Sequence, residues 1–232
     1  MHTDSFLYLC TERKQNSSMI AETLKRYIET EIIPQYSAFD KAHNLDHVQT
    51  VVDESISLCR LYPETHPDMV YTVAAYHDLG LCRDRETHHL VSGEILMADK
   101  RLKEWFTEEE ILIMKEAVED HRASSKQAPR SIYGRIVAEA DRQIDTDTTL
   151  RRTVQYGLRQ APNVSREWHY ERFLHHLHEK YAPGGYLKLW IPESKNGERL
   201  RALQAVIANE EELRRRFDGL FDEECKDISD SK

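Results

Sequence analysis

The sequence predicts an all-α protein, and three features carry that reading. Apolar residues recur every three or four positions through most of the 232-residue chain, the spacing that lines one face of a helix. No stretch alternates apolar and polar residues cleanly enough to read as a strand. Proline, glycine and capping residues interrupt the periodic runs at intervals of helix length.

The elements follow in chain order. Residues 1–17 lack a sustained period and contain the polar run Lys14-Gln15-Asn16-Ser17, so an N-terminal arm is expected there. From Ser18, the residues Ile20, Leu24, Ile28, Ile32 and Ile33 mark a first helix, which Pro34 disfavours continuing. Val48, Val51, Val52, Ile56 and Cys59 define a second over residues 47–61, ending before Pro63. Met69, Val70, Val73 and Ala74 define a third over 68–79, with Gly80 as its stop. A fourth helix covers 87–102. Thr107 and Glu110 form a capping-box pattern that opens a fifth over 108–121, and a sixth covers 131–147.

Between 148 and 195 the period weakens and His, Tyr, Trp, Arg, Gly and Pro accumulate. One helix is expected around 166–180, followed by a loop at Pro183-Gly184-Gly185. A last helix covers 198–220, and the acidic tail at 223–232 is expected to fray. The organisation expected is one compact helical domain over 18–222, with a less regular His/Tyr/Gly-rich segment before the C-terminal helix.

Bulk properties narrow the function. A hydrophobic fraction of 40% beside a charged fraction of 31% fits a water-soluble protein built from amphipathic elements. The net charge of -9 argues against nucleic-acid polymers and anionic membranes, both of which need a positive field. No apolar run approaches the roughly 20 residues of a membrane helix, and the opening MHTDSFLYLCTERK lacks the features of a signal peptide, so a cytoplasmic protein is expected. Cys10, Cys59, Cys82 and Cys225 form no C-x-x-C pair and read as free thiols. With 12 histidines, imidazole is the better candidate for metal chemistry.

Polar residues on the apolar stripes are the informative ones. His77 continues the line Val70, Val73, Ala74. His121 continues Ile111, Met114, Val118. Asp141 lies among Val137, Ala140 and Ile144, and His47 stands one turn before Val51. A lone histidine on such a face is more often a hydrogen-bonded core residue than a ligand. Inward aspartates are harder to explain that way: burying an ionised carboxylate costs several kcal/mol unless it is paired or holds a cation. Asp78 and Asp141 would enter the same interior as several imidazoles, and one divalent cation resolves the conflict.

The order of these residues resembles the HD-domain superfamily of metal-dependent phosphohydrolases. The matching stretches are His43-Asn44-Leu45-Asp46-His47, Ala75-Tyr76-His77-Asp78-Leu79-Gly80 and Ala138-Glu139-Ala140-Asp141. His88-His89-Leu90-Val91-Ser92-Gly93 and Glu119-Asp120-His121 resemble the two intermediate motifs of members with a second metal. The resemblance covers about residues 20–148.

That resemblance implies that His47, His77, Asp78 and Asp141 bind a first metal. In a two-metal site, Asp78 would bridge to a second ion held by His121 and by His88 or His89. Spacing before Gly93 favours His89. His43 is assigned a supporting or capping role. Asp78, His77 and His121 are expected to carry the catalysis, on one or two divalent ions. Mn or Fe is favoured, with Mg, Ni, Co and Zn also compatible with mixed nitrogen and oxygen ligands. The expected substrate is a small phosphorylated metabolite or nucleotide. Arg83, Arg85 and Arg122 are the candidates to meet its phosphate, since guanidinium forks suit phosphate oxygens.

Two branches of the superfamily are disfavoured. Leu81 stands where the cyclic-dinucleotide hydrolases of the HD-GYP type commonly carry Lys, and the paired acidic residues of stringent-nucleotide hydrolases are missing. The competing functions are a non-catalytic metal-containing binding or sensing domain and a di-iron oxygenase of the same fold.

Overall fold

A computed structural model describes residues 20–40 and 43–230, the last four of these by backbone alone. The expected arm at 1–17 and Cys10 lie outside the described residues. Among the described residues there are ten α-helices and no strand. No helix among them is long and apolar enough to cross a membrane. A single domain is expected over 18–222; the chain clusters into two compact units that divide after Asp141.

The first unit holds α1 (Glu22–Tyr27), α2 (Leu45–Cys59), α3 (Pro67–Tyr76), α4 (His88–Ala98), α5 (Glu108–Glu119) and α6 (Ile132–Asp141). α3 is its centre. Every side chain from Met69 to Tyr76 is buried, and α2, α4, α5 and α6 all pack on it. A helix covered on all sides is apolar all round, which is why its sequence reads as a short continuous apolar run.

Pro34 does not end the first helix outright. After α1 the chain widens into a π-helical turn at Ile28–Ile32 and tightens into a 3₁₀ helix at Ile33–Ala38, with Pro34 in its first turn. Proline has no N–H and collides with the carbonyl four residues back, so the regular ladder cannot continue. The Gln35 side chain instead donates to the Glu31 carbonyl at 2.8 Å. Leu24, Ile28, Ile32 and Tyr36, each four residues apart, all remain buried.

The capping box of α5 forms as expected: Thr107 accepts from the Glu110 N–H, and Glu110 accepts from the Thr107 N–H. α3 is shorter than expected. It ends at Tyr76, and a 3₁₀ turn at Leu79–Cys82 follows.

The second unit holds α7 (Thr146–Gln160), α8 (Arg166–Tyr181), α9 (Asn196–Ala208) and α10 (Glu210–Asp230). Phe217 is its hub, with the rings of Phe173 and Tyr170 each 5.1 Å away. α7 occupies a stretch where the period looked weak, and the helix expected over 198–220 is two helices, parted at Asn209. α10 runs through Asp230, beyond the point where fraying was expected to begin. The glycine loop turns back onto its own helix: Tyr186 and Leu187 donate to the carbonyls of Glu179 and Lys180 at 3.0 and 3.1 Å.

Candidate metal centre

Five helices of the first unit, α2 to α6, deliver side chains to one point. His47 lies in the first turn of α2, where the Asn44 side chain accepts the His47 N–H at 3.1 Å and caps the helix. His43 packs edge-on against His47, 5.7 Å between ring centres, and its Nδ1 lies 2.7 Å from Asp40. His77 closes α3 and Asp78 begins the turn beyond it. His88 opens α4, and His121 follows the end of α5. Asp141 ends α6.

Asp78 is the hub. Its Oδ2 lies 3.3 Å from His77 Nε2 and 3.4 Å from His47 Nε2, while its Oδ1 lies 3.3 Å from His121 Nε2 and 3.4 Å from His88 Nε2. Asp141 Oδ1 joins the first pair, 3.5 Å from His47 and 3.9 Å from His77. Within each pair the two Nε2 atoms are 3.2 Å apart. His47, His77 and Asp78 form one group able to hold a cation, and Asp78, His88 and His121 form a second. Ligand atoms about 2.1 Å from a shared ion lie about 3.0–3.4 Å apart at octahedral to tetrahedral angles, close to most of these spacings.

The protons decide what such a cluster can do. His77, His88 and His121 use one device: the Nδ1 of each faces the backbone carbonyl three residues earlier, Ala74, Arg85 and Val118, at 2.7, 2.8 and 2.6 Å. A carbonyl only accepts, so Nδ1 carries the hydrogen and the neutral ring directs its Nε2 lone pair inward. In that tautomer the Nε2 atoms of His88 and His121 present lone pairs to each other and to Asp78 Oδ1. Converging acceptors repel one another, and a cation placed among them converts that repulsion into ligation.

Burial opposes a charge on His77, yet the Asp78 carboxylate beside it, with Asp141, raises its pKa to about 9. Burial also opposes charge on Asp78, but His77, His121 and His47 hold its carboxyl well below the usual range. Asp141 is lowered against burial by His77 and His47. Burial and the neighbouring His121 push His88 down to about 4, against the pull of Asp78. A proton on His77 and a cation therefore compete for one lone pair.

The expected residues separate as follows. His47, His77, Asp78, His121 and Asp141 come together. Of the adjacent histidines, His88 joins them and His89, favoured by spacing, does not. One residue along a helix rotates a side chain by about 100°, and with His88 anchored to the Arg85 carbonyl it is His88 that faces Asp78. Arg130 donates to both Glu119 and Asp120, so those carboxylates are engaged away from the cluster. Arg83 pairs with Glu94 at the surface, and Arg122 donates to the Glu86 carbonyl and the Ser124 hydroxyl. Arg85 pairs with Asp40 at 3.4 Å and lines a cavity with Ala38, Phe39, Asp40, His43 and Leu81.

Two residues, Gly80 and Tyr36, have supporting roles that escaped sequence reasoning. Gly80 donates its N–H to the Ser92 hydroxyl at 2.8 Å, and a Cβ on Gly80 would stand 2.0 Å from the His88 carbonyl oxygen. Only glycine lets the turn after Asp78 lie so close to α4. The hydroxyl of Tyr36 meets the Asp78 backbone. Gly80 reads in sequence as a helix stop and as the end of the His-Asp stretch, with no sign of its contact with α4, and Tyr36 lies past the proline, where periodic reading ends.

Residues 44–143 match the family model described as HD domain. No curated protein and no solved structure matches the chain. The matched span begins at the Asn44 cap and includes His47, His77, Asp78, His88, His121 and Asp141, all the side chains that converge. The match over residues 44–143 is consistent with the HD-domain superfamily.

Proposed function

We propose that the chain is a metal-dependent phosphohydrolase that cleaves a phosphoester or pyrophosphate bond of a small phosphorylated metabolite or nucleotide. The observation that carries the reading is the division of one carboxylate between two imidazole pairs: Asp78 Oδ2 faces His47 and His77, and Oδ1 faces His88 and His121. In this reading His47, His77, Asp78 and Asp141 hold one divalent ion, and Asp78, His88 and His121 hold a second. Mn or Fe is favoured, with Mg, Ni, Co and Zn compatible. Such ions bring the pKa of bound water toward neutrality and polarise a phosphoryl oxygen.

The chain's own residues supply the rest. The backbone carbonyls behind His77, His88 and His121 fix their rings, so the donors are preorganised. Asp141 keeps 21% of its side chain exposed, against 5% for Asp78, so of the two carboxylates it is the more open to solvent. Arg85 lines a cavity of about 250 Å³ suited to the non-transferred part of a small substrate. Its pairing with Asp40 is exposed and weak enough to exchange for phosphate oxygens. Arg83 and Arg122 are further candidates, each needing to leave its present partner.

The test is elemental analysis of purified protein beside the His77→Ala and Asp78→Ala variants, followed by a phosphatase screen with Mn, Mg, Ni and Fe. The reading expects metal in the wild type, loss of it in both variants, and metal-dependent phosphate release. Metal retained unchanged in both variants defeats the assignment. The bridged arrangement also favours a second reading, oxygen chemistry at two irons, which oxygen uptake without phosphate release selects. Stoichiometric metal, no turnover and a ligand that only raises thermal stability would select a binding domain.

A further inference from the structure

α3 stops at Tyr76, just before His77 and Asp78, and one buried hydroxyl stands at the break. Tyr36 is fully buried. Its hydroxyl donates to the Ala75 carbonyl at 3.0 Å and accepts the Asp78 N–H at 3.2 Å. Those two backbone groups flank His77. The Ala74 carbonyl, one residue earlier, accepts from the His77 ring. The ring of Tyr36 is held edge-on by Phe39 at 5.3 Å and lies 6.2 Å from the His77 ring.

This break has a geometric purpose. In a continuing helix, neighbours diverge by about 100°, so His77 and Asp78 could not both face one centre. Ending the ladder at Tyr76 lets Asp78 take φ -111 and ψ 5, and its carboxylate then spans both imidazole pairs. A helix end leaves backbone donors and acceptors that need partners when buried. Tyr36 supplies one of each with a single atom, from an element that contributes no side chain to the centre.

We propose that Tyr36 is a positioning residue for the metal centre: its hydroxyl clamps the backbone on both sides of His77 and fixes where Asp78 divides its two oxygens. This rests on the reading that the cluster holds metal. Groups that orient a ligand typically change metal affinity by about 10- to 100-fold when removed.

The test compares the full-length wild type with Tyr36→Phe, which keeps the ring and removes only the hydroxyl. Mn²⁺ affinity is measured by equilibrium dialysis, and the visible spectrum is recorded after Co²⁺ loading. Val154→Ala, in the second unit, serves as a destabilised control. The proposal expects Tyr36→Phe to lose about 10- to 100-fold in Mn²⁺ affinity and to alter the Co²⁺ spectrum, while Val154→Ala changes neither. Should Tyr36→Phe not yield folded protein, Phe39→Leu, which loosens the ring and keeps the hydroxyl, is expected to show a smaller loss in the same direction. Wild-type affinity and spectrum in Tyr36→Phe, or in Phe39→Leu where it is the variant that folds, overturn the proposal alone, provided Asp78→Asn loses metal. A wild type that binds no metal overturns the underlying reading and this proposal with it.

Discussion

Replacing Gly80 with alanine tests how closely the His-Asp turn must approach α4. The new Cβ would stand 2.0 Å from the His88 carbonyl oxygen, 2.8 Å from the His88 carbonyl carbon and 2.7 Å from the Ser92 nitrogen. All three are backbone atoms and cannot swing aside as a side chain would. Ordinary contact begins at 3.4 Å, so the turn and the start of α4 must separate by more than an ångström. That shift also strains the Gly80 N–H bond to Ser92. Overpacking of this kind and the loss of one hydrogen bond together cost about 2–4 kcal/mol. His88 moves with the α4 backbone, away from Asp78 Oδ1, while His47, His77 and Asp141 are displaced less. Urea denaturation of the metal-free protein reads the stability, and elemental analysis reads the metal per chain. The expected result is a loss of about 2–4 kcal/mol and preferential loss of the ion on the His88 side. Stability within about 0.5 kcal/mol of wild type, with metal content intact, refutes the close-approach argument.

Other consequences follow from single contacts. Gly219 has nothing within 4 Å of an added Cβ, so Gly219→Ala should stabilise α10 by about 0.5–1 kcal/mol in the same denaturation assay. Thr107→Ala removes the capping box of α5 and should cost about 1 kcal/mol without changing metal content. His77 has a pKa raised from 6.5 to about 9 in the folded chain, so in chelator its ion pair contributes fully below about pH 6.5 and is lost as pH rises through 9. A shift of that size corresponds to on the order of 3 kcal/mol. The lowered pKa of Asp78 reports the same pair and counts once; on the acid side it makes the contribution disappear as pH falls below the ordinary carboxylate range. Denaturation between pH 6.5 and 10 should show this slope in the wild type and not in His77→Gln. His88→Ala should lose one metal equivalent while His89→Ala retains both, as measured by elemental analysis.

The elements legible in the sequence were those with a strong apolar stripe or a capping signature, such as α2 and α5. α7 was not legible because its buried face mixes Leu150, Val154 and Leu158 with Thr149, Thr153 and Gly157, which dilutes the apolar signal. The break at Asn209 left a mark that a continuous stripe concealed: Asn209 accepts the Glu212 N–H at 3.1 Å, an N-cap inside an apparent single helix. At the candidate site, Asp141 and three of the histidines could be picked out because each continues or begins a helical stripe, and Asp78 because it follows His77 in the stretch that resembles the HD domain. The choice between His88 and His89 could not, since helix phase there depends on the Arg85 carbonyl and on how near Gly80 comes. Tyr36 was hidden for another reason: its role is played through the backbone of residues 39 and 42 positions away, and no local pattern encodes that.

If Asp78 joins two ion sites through its two oxygens, two ions bound there are coupled through one carboxylate. Electron paramagnetic resonance of the protein loaded with excess Mn²⁺ and then freed of unbound metal tests it most directly. The expected result is the signal of an exchange-coupled manganese pair in the wild type, replaced by the hyperfine pattern of an isolated ion in His88→Ala. A wild type that shows only isolated Mn²⁺, with a spectrum unchanged by His88→Ala, would contradict it.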